Sequence, residues 1–190
     1  EGRPFKINLL TGASNSDHVD GALSRANALN FRAPYQNVPD LRKRINSHDC
    51  HYNDRHLSEM AQEVRYGFYG KVDWAIIEAA DITPDGEVIL GTGVGNIPTY
   101  AKLADKIFIE LNEALPKALY GMHDIYLPAD PPYRREIPIY AANARIGSPV
   151  LKIDPNKVVG IVRTKSYDGV KPFTAPDEVS KQIGANVVAF

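Results

Sequence analysis

The chain has one cysteine, Cys50, in 190 residues, so it holds no internal disulfide framework. A lone thiol suits a reducing compartment, and a cytoplasmic location is expected. It also lacks any run of about 18 apolar residues and shows no signal-peptide pattern, so no membrane span is expected. Net charge is nearly absent too, at −1, with both signs interspersed. A general nucleic-acid or membrane-surface binder needs a basic face, so neither partner is expected. The one basic run, Arg42-Lys43-Arg44, fits a solvated helix face. Repeats and low-complexity tracts are lacking. The hydrophobic fraction is 44% and the charged fraction 24%, the make-up of an ordinary globular domain.

His48-Asp49-Cys50-His51 has metal-ligand residue types without the spacing. On a strand His48, Cys50 and Tyr52 would share one face and His51 the other. With no second cluster at ligand spacing, no metal is expected.

Phe5–Leu10 is a short apolar run of strand length, ended by the small residues Thr11-Gly12-Ala13-Ser14. A small-residue turn after a buried strand is where α/β proteins place ligand contacts, because backbone amides are free there. Val19, Ala22, Leu23, Ala26 and Leu29 recur at helical spacing from His18 to Leu29, with Ser16 or Asp17 as cap. Pro34 and Pro39 predict a turn, and Asp40 is placed to cap a helix through Leu41 and Ile45. A short strand and a loop are expected between Cys50 and His56. Ser58–Tyr66 is expected to be helical, ending at Gly67–Gly70.

Val72–Ala79 is nearly continuous in apolar residues, the pattern of a strand buried on both faces of a parallel sheet. Thr83-Pro84-Asp85-Gly86 predicts a turn, and Glu87–Leu90 a further strand. A Gly-rich loop, Gly91–Asn96, precedes a short helix over Thr99–Ala104. Lys106–Leu111 and Val158–Arg163 complete the strands, and Asp177–Ile183 predicts a closing helix ended at Gly184. Prolines punctuate an irregular stretch at about 127–149, long enough to suggest a functional or interface role. Strands alternating with helices predict an α/β fold with a mostly parallel sheet flanked by helices.

Gly91–Asn96 lacks the lysine and hydroxyl of a phosphate loop, and Asn96 breaks the dinucleotide-binding pattern. What remains is a strand–loop–helix able to present backbone N–H groups to an anion or carbonyl, or a tight connection that needs glycine. Glu78, inside an apolar strand, is expected at the strand end or buried with a partner. Ser14 stands in no nucleophile elbow. His123-Asp124 is a sequence neighbour pair, which does not make a catalytic dyad.

Several strings extend this. LLTGAS (Leu9–Ser14), RAPYQNVPDLRKRIN (Arg32–Asn46), DRHLSE (Asp54–Glu59) and VDWAIIEAADITPDGEVI (Val72–Ile89) come first. GVGNIPTYAKLADKIFIELN (Gly93–Asn112), GMHDIY (Gly121–Tyr126), RIGSP (Arg145–Pro149) and KVVGIVRT (Lys157–Thr164) follow in order. Together they resemble the acetyl-CoA hydrolase/transferase family, the class I acyl-CoA:carboxylate CoA-transferases acting on short acyl groups.

The resemblance implies two related α/β domains with the active site between them. It also implies a glutamate that attacks the acyl-CoA thioester, giving an acyl-glutamyl anhydride and then a glutamyl-CoA thioester. That glutamate and the main CoA-binding loop belong to the family's second domain, so no catalytic nucleophile is expected in this chain. The strings belong to the first domain and lack its opening segment. Together with the abrupt start at Glu1-Gly2-Arg3-Pro4, this predicts an N-terminal domain over 1–190, incomplete at its start and without the C-terminal catalytic domain. Thr11, Gly12, Ser14, Gly93, Gly95 and Asn96 are the implied lining of the substrate cleft. Acyl-CoA and a short-chain carboxylate are the implied substrates, with no permanently bound cofactor. The missing C-terminal domain and, at full length, a homo-oligomer are the implied partners. The isolated chain is expected to be inactive. Two other readings are a non-catalytic binding or assembly module of the same fold, and a sugar-phosphate isomerase, which would need a charged cluster at the loops that is not evident.

Overall fold

The computed structural model describes residues 4–14, 16–167 and 173–190. Its first half is a three-stranded parallel sheet in the order β1-β2-β3, formed by β1 (Ile7–Ser14), β2 (Leu29–Gln36) and β3 (His51–Tyr52). A π-turn at Asp17–Gly21 and a short α1 (Ala22–Arg25) join β1 to β2, and α2 (Pro39–Asn46) joins β2 to β3. The Ser16 hydroxyl accepts from the His18 amide at the start of the π-turn, as its cap position predicts.

The helix predicted through Leu29 stops at Arg25, and Leu29–Gln36 is a strand rather than a proline turn. Leu29 is fully buried beside Val38, Leu41 and Cys50. Arg32 is also fully buried, which its charge conceals: it donates from Nε and Nη2 to the Asp20 carboxylate at 3.0 and 3.1 Å. The predicted Asp40 cap is not used; Val38 is the N-cap, and Asp40 pairs with Arg25.

The second half is a four-stranded sheet in the order β5-β4-β6-β7. Its strands are β4 (Trp74–Ile82), β5 (Val88–Leu90), β6 (Lys106–Asn112) and β7 (Val158–Thr164). β4, β6 and β7 are parallel, and β5 is an antiparallel hairpin partner to the end of β4. The α/β character with parallel strands and flanking helices is therefore as predicted. α3 (Leu57–Arg65) and α4 (Ile97–Leu103) connect the halves. Met60 and Val64 of α3 pack with Ala33 of β2, Leu10 of β1 and Tyr100 of α4.

β4 departs from expectation in one respect. Ala75, Ile77 and Ala79 point into a core with Ala101, Ala104, Ile107 and Ile109. Trp74 and Ile76, on the other face, are 53% and 74% exposed, so the first half of this strand is covered on one face only, while Ala80 near its end is buried with Ile89 and Val150. The stretch from Gly121 to Pro149 is irregular, as its prolines require. α5 (Glu178–Ala189) runs past Gly184, where its end was predicted, and all its residues are exposed. Asp177 caps it by accepting from the Ser180 amide.

Candidate functional site

The Thr11–Ser14 segment is not a free loop but the end of β1, carrying an irregularity. Leu10 pairs with Ala33 and Ala13 with Tyr35, so β1 spends one more residue than β2 over this interval. The extra length falls at Thr11-Gly12, and a bulge of this kind turns backbone groups out of the ladder. The Thr11 carbonyl then faces α4.

α4 meets it there. The Tyr100 hydroxyl donates to the Thr11 carbonyl at 2.7 Å, and Asn96 Nδ2 approaches the same oxygen at 3.4 Å. A Cβ placed on Gly12 would stand 4.0 Å from the Gly95 Cα, so the two backbones are in near contact. Gly95 has a φ of +43°, in the left-handed region that favours glycine. The structure thus brings Thr11, Gly12, Gly95 and Asn96 together. Ser14 lies two residues past the bulge, paired with Gln36, and Gly93 is exposed two residues before Gly95.

Tyr100 is absent from the sequence candidates. Its position one helical turn after Asn96 is the signal that could have found it. Burial pushes its phenol up to about 12, against the opposing pull of the Asn96 contact. Tyr100 is therefore a neutral donor at any ordinary pH.

Glu78 is half-buried, with a partner. Asn112, almost fully buried, donates from Nδ2 to Glu78 Oε1 at 2.7 Å and to the Ser166 carbonyl at 2.8 Å. The second Glu78 oxygen stands 2.8 Å from where a Cβ on Gly91 would be, so glycine lets the loop start pass against the carboxylate. His123 and Asp124 act apart. His123 Nε2 is 3.1 Å from the Leu90 carbonyl, while Asp124 accepts from the Ile146 and Gly147 amides and ties down the proline-rich stretch.

A groove of about 410 Å³ lies between α3, the start of α4 and the irregular stretch, and reaches the Gly91–Asn96 loop at Gly95. Gln62, Arg65, Gly95, Thr99, Tyr126 and Arg135 are among its lining. The irregular stretch forms its far wall and is fixed to α3 by the Arg65 guanidinium, which donates from Nε to both Asp130 oxygens at 2.9 and 3.0 Å. Its arginines are also outside the sequence candidates: Arg65 closes α3, and Arg134 and Arg135 meet it only through the fold of a loop with no periodicity. Among the described residues, no group of three His, Cys, Asp or Glu side chains is placed to hold a metal. Cys50 is buried, and burial raises its thiol pKa. No helix among the described residues is long and apolar enough to cross a membrane.

A strand-end bulge and a strand–loop–helix meet at one carbonyl, with an open groove beside Gly95, on an α/β domain built largely on parallel strands. The chain belongs to the family described as the acetyl-CoA hydrolase/transferase N-terminal domain, which matches residues 1–163. It is 43% identical over 186 residues to a succinyl-CoA:acetate CoA-transferase of Clostridium kluyveri, covering 98% of this chain and 35% of that protein. It is also 43% identical over 188 residues to a propanoyl-CoA:succinate CoA transferase of Escherichia coli, covering 99% and 38%. An acetyl-CoA hydrolase of Yarrowia lipolytica is 37% identical over 190 residues, with 97% and 36% covered. The chain thus spans little more than a third of the length of these relatives.

Proposed function

We propose that this chain is the N-terminal domain of an acyl-CoA:carboxylate CoA-transferase, forming one wall of the acyl and carboxylate pocket. The nucleophilic glutamate, in this reading, comes from a second domain. The observation that carries it is the meeting of the β1 bulge with the Gly91–Asn96 loop at the Thr11 carbonyl. Thr11, Gly12, Ser14, Gly93, Gly95 and Asn96 line the cleft. Exposed amides at such turns suit a developing oxyanion or a bound carboxylate. Family membership supports acyl-CoA and a short-chain acid as substrates, and the relatives' names support both transfer and hydrolysis as outcomes. The free, buried Cys50 supports a cytoplasmic setting.

In this reading residues 1–190 are one unit within a longer enzyme, followed by a catalytic domain and assembling as a homo-oligomer. The test mixes the chain with a polypeptide carrying the second domain and measures CoA transfer from acetyl-CoA to succinate or propionate. Turnover is expected only in the mixture. Normal enzymatic turnover by the purified chain alone would overturn the reading, and a folded, inactive complex would favour a non-catalytic assembly module.

A further inference from the structure

The side chains of Arg32 and Arg65 are both at least nine-tenths buried, and the fold satisfies them differently. Arg32 donates from all three guanidinium nitrogens, to the Asp20 carboxylate and to the Ala33 and Tyr35 carbonyls. Arg65, the last residue of α3, donates from Nε alone, to both oxygens of Asp130. Its two Nη nitrogens meet no protein acceptor among the described residues. Nor are they sealed in: the buried side-chain polar atoms without a partner, among the described residues, are Ser24 Oγ and Arg44 Nε. Arg65 lines the groove, so its open Nη edge faces that space. A guanidinium is a fixed fork of donors, and a partner that takes Nε alone leaves the paired edge for another oxyanion.

The rest of the lining has the same sign. Arg134 and Arg135 reach the groove from the irregular stretch, and no lining residue is acidic. Asp130 offsets one of the three charges, which leaves the groove cationic in a chain whose net charge is −1. Arg134 is held at the rim, donating to Gln62 Oε1 and the Ala129 carbonyl. Arg135 is exposed and makes no such tie among the described residues. Ser58, Thr99 and Tyr126 add hydroxyl donors. The volume of about 410 Å³ lies within the roughly 300–1,000 Å³ of small-molecule sites.

We propose that this groove binds a small oxyanion, a carboxylate or phosphate group, seated on the Nη edge of Arg65 with Arg134 and Arg135 as its further partners. Arginine suits this task better than lysine, because its parallel N–H pairs match two oxygens of either group. Solvated loop arginines would give the same composition, but they would not bury Arg65. The inference concerns binding alone and is independent of the proposed enzymatic function.

The test titrates the 190-residue chain, its fold checked by circular dichroism, with sodium succinate and with inorganic phosphate in a calorimeter. Sodium chloride of equal ionic strength is the blank. Saturable binding of at least one of the two anions is expected. Tighter succinate assigns the groove to the carboxylate of an acid, and tighter phosphate to a phosphate ester. Arg65→Lys keeps a cation beside Asp130 and removes the open edge. Arg135→Gln removes a rim charge and is expected to leave the thermal midpoint without anion unchanged. Each variant is expected to weaken binding about tenfold or more, the worth of one hydrogen bond to a charged group. Arg42→Gln, on the exposed side of α2, makes the same change in net charge and is expected to leave binding intact. Absence of saturable binding for both anions, affinity unchanged by Arg65→Lys or by Arg135→Gln, or an equal loss in Arg42→Gln would each overturn the proposal.

Discussion

Tyr100 ties the two candidate loops together through one hydroxyl, and its environment makes a pH-dependent test of that tie. An ordinary tyrosine ionises near 10, whereas burial raises this one to about 12. Between those values the unfolded chain has released a proton that the folded chain retains, so stability falls as pH rises. The contribution is complete below pH 10 and is lost progressively towards pH 12. Tyr100→Phe removes the donor to the Thr11 carbonyl and is expected to cost about 1 kcal/mol at neutral pH, the net worth of a typical hydrogen bond. It also removes this titration. Thermal midpoints measured from neutral pH upward should therefore converge for the two proteins above pH 10. Tyr52 and Tyr69 are raised by burial as well and leave a residual slope in both. A constant difference between wild type and variant across this range would show that the Tyr100 phenol does not sense its burial.

At the scale of elements, the stretch from Gly121 to Pro149 has no regular ladder and is held by individual clasps. Ile125 and Ser148 exchange backbone bonds, Asp124 gathers the Ile146 and Gly147 amides, and Asp130 receives Arg65. The Arg65 side chain is only 9% exposed, so its charge depends on Asp130. Asp130→Ala strands that guanidinium, and a hydrogen bond to a charged group is worth about 1.5–3 kcal/mol. Amide exchange across Leu127–Ile137 should accelerate about tenfold or more, while β4 and β6 keep their protection. Unchanged exchange in this stretch would show that Asp130 does not hold it. The same dependence on single clasps explains what the sequence made legible. β4, β6 and β7 announce themselves by apolar runs, and α3 by its period. β2 does not, because Asn30, Arg32 and Gln36 interrupt its pattern and the buried Arg32 has its partner, Asp20, in another element. Gly91–Asn96 was evident as a small-residue loop after a strand, whereas Thr11–Ser14, read the same way, is the bulged end of β1 itself. Tyr100 and the groove arginines were not evident, since three-dimensional pairing alone brings them there.

The described residues form two sheets joined through a helical seam. Among them no ladder runs between β1 and β4, and the continuity is carried by α3 and α4 with Leu10, Ala33, Met60, Val64, Val72 and Tyr100. Met60 is fully buried at the centre of that seam. Truncating a buried methionine to alanine costs about 2–5 kcal/mol in a well-packed core. Here the loss falls on the joint rather than on either sheet, since each sheet has a buried cluster of its own, around Leu29 and Leu41 or around Ile77 and Ile107. The wild-type chain should unfold in urea as one transition, with Trp74 fluorescence and far-ultraviolet circular dichroism coinciding. Met60→Ala should lower the midpoint and separate the two probes, because Trp74 belongs to the second sheet while the dichroism reports both. A lowered midpoint with the curves still superimposed would mean that the sheets remain one cooperative unit and that the seam is not where the molecule divides. The seam also carries the contact between the candidate loops, so any separation of the sheets would open the Thr11–Asn96 junction before either core is lost.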